Sequence, residues 1–341
     1  MNYNRVKNIK LSILDLARFT KSETTAHEVL KHSAEIAVLA DDLGFERYWF
    51  AEHHNNKSLV SMFPEIMISH IGSLTKRIRI GSGGVMLNNH SSLSVAERFA
   101  MLEALYPGRV DLGLGRAPGT DGRTALALRR NWDLVKSDMF AEQLEELIGY
   151  FGHDLRSDHP FSSIYASPSP TLTPEIYMLG SSTGGVQFAL KHGLPFAFAA
   201  QLNAPLAVDV LRYYKENFQP SKFLSVPKSI LCIVVITAKT DEEAWKIAEP
   251  SILYWVLFMT GKIKFNSSVQ IESENYKFTP QELKVRDEVL QKFIIGSQET
   301  VEKQIKDWVS ATEVDEIMVF DMYPDQDSRK EGYKLLAEKF I

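Results

Sequence analysis

Eight short runs of β-branched, aromatic and aliphatic residues recur along the chain, and helical periodicity fills much of the sequence between them. The runs are Ile9 to Leu14, Arg47 to Ala51, Ile78 to Gly81, Val110 to Leu114, Ile176 to Leu179, Phe196 to Ala199, Lys228 to Ile236 and Glu316 to Phe320. Strands that alternate with helices predict a parallel sheet of βα units, and eight is the number that closes such a sheet on itself. The predicted fold is therefore an α/β chain closed into a (β/α)8 TIM barrel, with loops inserted on its C-terminal face. A length of 341 residues permits one such barrel or two ordinary domains, and no clean linker divides the chain. A single domain over residues 1–341 is expected.

The intervening segments carry helix start signals. Thr25-Ala-His-Glu28 forms a capping box, after which Val29, Ile36, Leu39 and Leu43 recur at helical spacing until Gly44. Pro64 suits a first helical turn, Ser137 or Asp138 can cap a helix running to Tyr150, and Thr240 or Asp241 one carrying Trp245. Three connections, about 116–136, 152–174 and 261–297, exceed what a barrel needs. Long connections in compact domains commonly serve as lids, so Arg116 to Arg130 and 261–297 are the candidates.

A formal charge of −5 without a long basic run argues against nucleic acid as the main partner. The longest apolar stretches, such as Ile230 to Ile236, are strand-length, far short of the roughly 20 residues a bilayer span requires. Near the N-terminus Arg5, Lys7 and Lys10 precede an apolar segment, but Asp15 and Arg18 interrupt it, unlike a secretory leader. The one cysteine, Cys232, lies among apolar residues and reads as a buried thiol, so a cytoplasmic location is expected.

Polar residues collect where the predicted strands end: Asp15 after the first, Glu52-His53-His54 after the second, Gly83-Gly84 after the third and Arg116 after the fourth. Ser181-Ser-Thr-Gly-Gly185 follows the fifth, and Gln201 with Asn203 the sixth. Barrel enzymes build their sites on that rim. Adjacent side chains on extended backbone point to opposite faces, so one imidazole of the His53–His54 pair faces inward; His53 is the preferred one, and no metal is expected. The Ser181–Gly185 turn opens a helical pattern, which suits an anion such as a phosphate or a plain N-cap. Gly113-Leu-Gly115-Arg116-Ala-Pro-Gly119 lacks the spacing of a dinucleotide-binding fingerprint. Arg116 reads as a strand-end cation or a structural ion-pair partner. Gly81-Ser-Gly-Gly84 would let backbone approach a flat ligand, or mark a bulge.

In order, these strand ends resemble the bacterial luciferase-like flavin-dependent monooxygenases, a family with a (β/α)8 barrel. The matching pieces are Gly44-Phe-Glu-Arg-Tyr-Trp-Phe-Ala-Glu-His-His54, Ile80-Gly-Ser-Gly-Gly-Val-Met-Leu87 and Pro107-Gly-Arg-Val-Asp-Leu-Gly-Leu-Gly-Arg-Ala117. Leu179-Gly-Ser-Ser182 with Gly193-Leu-Pro195 extends the match to the sixth strand. The resemblance implies FMN across the barrel mouth, with His53 as the catalytic histidine beside the isoalloxazine. Cofactor contacts would come from Glu52, Gly83, Gly84, Arg116, Ser181, Ser182, Gly184 and Gly185, with Ser181 and Ser182 at the phosphate and Gly83–Gly84 joined by a cis bond. Two positions depart from the luciferase α-chain. Gly115 replaces its reactive cysteine and Asp138 its helix-opening arginine, leaving Arg123, Arg129 or Arg130 to meet the phosphate charge.

The activity implied is oxygenation of a small organic substrate by O2 and reduced FMN, the latter delivered by a separate flavin reductase. Alternatives are a deazaflavin-dependent hydride-transfer oxidoreductase of the same barrel and a non-catalytic FMN-binding protein. The resemblance further implies a homodimer formed through barrel helices.

Overall fold

The computed structural model describes residues 9–168, 173–264, 273 and 275–341. Arg5, Lys7 and parts of the predicted insertions 152–174 and 261–297 lie outside the described residues.

All eight predicted runs are parallel strands, and they close a ring. The ring strands are β1 (Lys10–Asp15), β2 (Arg47–Phe50), β3 (Arg79–Met86), β4 (Val110–Gly115), β5 (Glu175–Gly180), β6 (Phe196–Ala199), β7 (Ser229–Thr237) and β9 (Glu316–Phe320). Each pairs with the next, β6 pairs with β7, β7 with β9, and β9 with β1. Closure removes every edge from the ring, and each strand buries one face on the barrel interior and the other on helices. The helices alternate with the strands and cover the outside.

A ninth strand was not expected. β8 (Phe293–Gly296) lies inside the 261–297 segment read as a lid and pairs with Val234–Thr237 of β7. The nine-residue length of β7 explains it. Residues up to Cys232 pair with β6, which stops at Ala199, and β8 takes over from Val234. Its four residues lie within a long connection, outside the eight runs that already close a ring.

Other boundaries also moved. β3 runs through Gly81–Gly84 to Met86, with a register shift against β4 between Gly83 and Val85. The Arg116–Arg130 segment is not all loop: Asp121 caps a helix over Gly122–Arg129, accepting from the Arg123 and Thr124 N–H groups. The Thr25 capping box, the Gly44 terminus and Pro64 hold the predicted roles. Thr240 caps Asp241–Met259, whereas neither Ser137 nor Asp138 is the N-cap of Phe140–Gly152; that position is Met139, which makes no side-chain cap bond.

The N-terminal end of the ring is plugged by charge. Arg47, the first residue of β2, sends Nε and Nη2 to Glu316 at 2.7 and 3.0 Å and Nη1 to Asp111 at 2.6 Å. Asp111 also accepts from Trp49 Nε1 at 2.9 Å and from Arg79. A second buried network ties the outside of the ring to the helix Gln326–Phe340. Arg329 reaches Asp15 at 2.8 Å and also binds Asp321, while Tyr48 donates to Asp15 at 2.6 Å and Tyr333 to Asp321 at 2.7 Å. Asp15 therefore does not face the mouth, contrary to the rim reading. Its neighbour Leu14 points inward, and strand alternation turns Asp15 outward.

Candidate active site

A cavity of about 860 Å³ opens at the C-terminal ends of the strands. Its lining includes His53, Gly83, Gly84 and Arg116, and also Ser181, Ser182, Gly184 and Gly185. Of the residues expected to be catalytic or to contact the flavin, Glu52 alone lies outside it, and strand parity gives the reason. Ala51 and His53 face the cavity, so Glu52 and His54 face away.

Glu52 instead anchors the rim from behind. Its carboxylate accepts from His54 Nε2 at 2.9 Å, from His90 Nε2 at 3.0 Å and from the Met86 N–H at 2.9 Å. Burial opposes ionisation of Glu52, yet the hydrogen bonds from His54 and His90 prevail and hold its pKa at about 2. The fixed charge locks the β2 and β3 ends together. His90 is the member that sequence reading missed, because it follows a turn of 3-10 helix (Leu87–Asn89) rather than a strand.

His53 sits with that charge behind it. Burial pushes its imidazole below the ordinary value of 6.5, opposed by a hydrogen bond to the Gly119 backbone and by Glu52. The ring is therefore neutral at physiological pH, carrying one N–H and one lone pair. Gly119 is needed for this approach: its φ is +63°, and a Cβ there would lie 3.0 Å from the Glu52 carbonyl oxygen.

Backbone without side chains lines the β3 end. The Gly83–Gly84 peptide is cis. A Cβ on Gly84 would stand 2.5 Å from Leu179 Cδ1 and 2.7 Å from the Gly113 carbonyl oxygen, so β3 and β4 tolerate nothing larger than hydrogen there. The result is a smooth surface against which a planar ring system fits.

At the β5 end, Ser182 caps the ten-residue helix Thr183–His192, its Oγ accepting from Gly184 N–H at 3.4 Å. The Ser181 carbonyl is held by Asn203 Nδ2 at 3.0 Å, which ties the β5 and β6 ends. Arg116 lies alongside: a Cβ on Gly184 would be 3.4 Å from its Nη1. Its Nη2 forms a half-exposed pair with Asp138 at 3.1 Å. Unsatisfied helix N–H groups beside a guanidinium suit a phosphate dianion. Of Arg123, Arg129 and Arg130, only Arg129 is in the cavity lining, where Lys136 joins it. The donor set and the bare β3 surface fit a flavin mononucleotide.

Sequence reading also missed the apolar wall, built by Leu14, Phe320 and Met322 with Tyr254, Trp255 and Phe258 of the helix Asp241–Met259. Among the described residues no group of three or more metal-ligating side chains is placed to hold an ion, and no helix is long and apolar enough to cross a membrane.

A closed parallel barrel with this mouth belongs to the class of TIM-barrel oxidoreductases that work through a flavin. The family model described as luciferase-like monooxygenase matches residues 9–314, and the chain belongs to that family of oxygen-incorporating enzymes. It is 35% identical over 334 residues to the luciferase-like monooxygenase of Escherichia coli (strain K12), covering 97% of each chain. It is 32% identical to the N-acetyl-S-alkylcysteine monooxygenase of Bacillus subtilis (strain 168), covering 98% of each. Among solved structures, apo-MsnO8 superposes with a TM-score of 0.83 at 33% identity, over 98% of both chains. The FMN complex of the oxygenating constituent of 3,6-diketocamphane monooxygenase from Pseudomonas putida shares the fold, with a TM-score of 0.70 at 18% identity over 97% of this chain and 96% of that one.

Proposed function

We propose that this flavin-dependent monooxygenase uses reduced FMN, delivered by a separate flavin reductase, and O2 to oxygenate a small organic substrate in the β-strand mouth. The observation that carries the reading is the convergence of a neutral imidazole, a bare glycine surface and a hydroxyl-rich helix start on one cavity. Reduced flavin supplies the electrons that activate O2. The residues of the chain do the rest. Ser181, Ser182 and the N–H groups of Gly184 and Gly185 bind the phosphate, with Arg116 and Arg129 supplying positive charge. Gly83 and Gly84 support the ring. His53, neutral and oriented by Gly119, donates or accepts one proton at the reacting atoms. The wall of Tyr254, Trp255 and Phe258 keeps water from them.

The test titrates the purified protein with FMN, reduced FMN and deazaflavin, then assays NADH-dependent product formation with an added reductase. Tight binding of FMN is expected; binding of deazaflavin alone would overturn the cofactor assignment. Replacing His53 with Ala should leave FMN binding intact and lower turnover by about 10²–10⁴-fold. Wild-type turnover should persist as pH falls to 6.5, because the imidazole titrates below its ordinary value, and fall at more acid pH as it takes up a proton. Turnover unchanged in His53→Ala removes His53 from the mechanism.

A cytoplasmic homodimer completes the reading. The single buried cysteine suits a reducing compartment. Helices Pro64–Leu74 and Ser92–Leu105, joined by the Arg98–Glu65 pair at 2.6 Å, expose Ile66, Met101 and Leu105, each more than half accessible. That apolar face suits a second copy.

A further inference from the structure

Arg18 is a cation in the wrong place for the cofactor phosphate. It follows β1, whereas Ser181 and Ser182 follow β5, four strands away in a ring of eight and so on the opposite side of the mouth. The other cationic side chains of the cavity, Arg116, Arg129 and Lys136, all follow β4, next to the phosphate turn. Arg18 shares its side of the cavity with Leu59, to which its backbone is bridged, and Leu16, Phe19, Tyr254 and Met322 line the same space.

Its position is built, not accidental. Ala17 takes a φ of +46°, and an antiparallel bridge from Arg18 to Leu59, with the Val60 N–H bonded to the Ala17 carbonyl at 2.8 Å, fixes the backbone. The guanidinium donates through Nη2 to the Tyr323 carbonyl at 2.9 Å. Among the described residues it makes no other hydrogen bond and no ion pair, and its Nε is buried without an acceptor. The carboxylates that act on it are already committed, Asp321 to Arg329 and Glu23 to His32 and Thr20. A half-buried guanidinium without a committed counter-ion is costly, and a ligand anion relieves that cost.

We propose that Arg18 is the specificity residue for an anionic group on the substrate, and that the substrate is a largely apolar molecule bearing a carboxylate. The proposal rests on the monooxygenase reading for the role of the cavity, and on Arg18 alone for the charge. The remaining fork donors of Arg18 match a carboxylate, the aromatic and aliphatic wall takes the apolar body, and His53 lines the same space.

The test titrates the FMN-loaded protein with 4-phenylbutanoate, its methyl ester and 4-phenylbutylamine, followed by flavin absorbance and calorimetry, with FMN affinity measured in parallel. The acid should bind at least about tenfold tighter than the ester, as one charge-assisted hydrogen bond in a dry site provides, and the amine most weakly. Arg18→Gln should abolish the preference for the acid while FMN affinity stays unchanged, and Arg18→Lys should keep most of it. Equal affinity for acid and ester in the wild type overturns the proposal, and that comparison needs no variant. Persistence of the preference in Arg18→Gln overturns it too, as does loss of FMN in both variants, which would assign Arg18 to the cofactor. A wild type that binds no FMN yet prefers the acid through Arg18 would sink the flavin reading and leave this one standing.

Discussion

At the N-terminal ends of the strands, Arg47, Asp111 and Glu316 are withdrawn from solvent and satisfy one another, whereas at the C-terminal ends Arg18 and Arg116 border an open cavity. Arg47 spends three donors on two carboxylates, and its Cζ lies 5.6 Å from the centroid of the Trp49 ring and 5.1 Å from that of Tyr177. Arg116 has one half-exposed partner. The same eight strands thus carry their cohesion at one end and leave donors uncommitted at the other, which is how a barrel separates stability from chemistry.

Breaking the closed end should cost most. Arg47→Leu leaves buried Glu316 without a cation and Asp111 with Arg79 and Trp49 only, and should lower unfolding free energy by about 3–5 kcal/mol, measured by urea denaturation, with FMN affinity preserved in the protein that remains folded. A small loss would mean that the ion cluster is dispensable. Glu52→Gln sits between the two ends in effect. It removes the charge holding His54 and His90 and should cost about 1–3 kcal/mol at pH 7. Glu52 has a folded pKa of about 2 against an ordinary 4.5, so its contribution is complete above pH 4.5 and lost as pH falls toward 2. The gap between wild type and Glu52→Gln in denaturation midpoint should therefore narrow in acid; a gap independent of pH would contradict the assignment. Ser182→Ala, at the open end, should be mildest: about 0.5–1 kcal/mol in stability for a long cap bond, and an FMN affinity lowered by roughly fivefold. A larger loss of stability than of affinity would make Ser182 a structural cap only.

The contrast between the ends also explains what could be read from the sequence. Strand composition revealed the ring, because each run is mostly apolar and is buried on both faces over most of its length. His53, Ser181 and Ser182 were legible because they immediately follow strands. In the sequence Arg47 reads only as a strand opener, since its partners Asp111 and Glu316 lie 64 and 269 residues away and no local pattern links them. Arg18 required the turn at Ala17 and the bridge to Leu59, both tertiary. Asp15 and Glu52 could have been placed. The alternation that separates His53 from His54 also turns Asp15 away from Leu14 and Glu52 away from His53.

The pairing of β1 with β9 has a temporal meaning. Ser12 and Glu316 are 304 residues apart, so at about 5–20 residues per second a ribosome releases β1 roughly 15–60 s before the strand that completes its ladder. Throughout that interval the nascent sheet carries an unpaired border, and Asp15 waits for Arg329. Protection by a chaperone during synthesis is accordingly worth most to the first strand made.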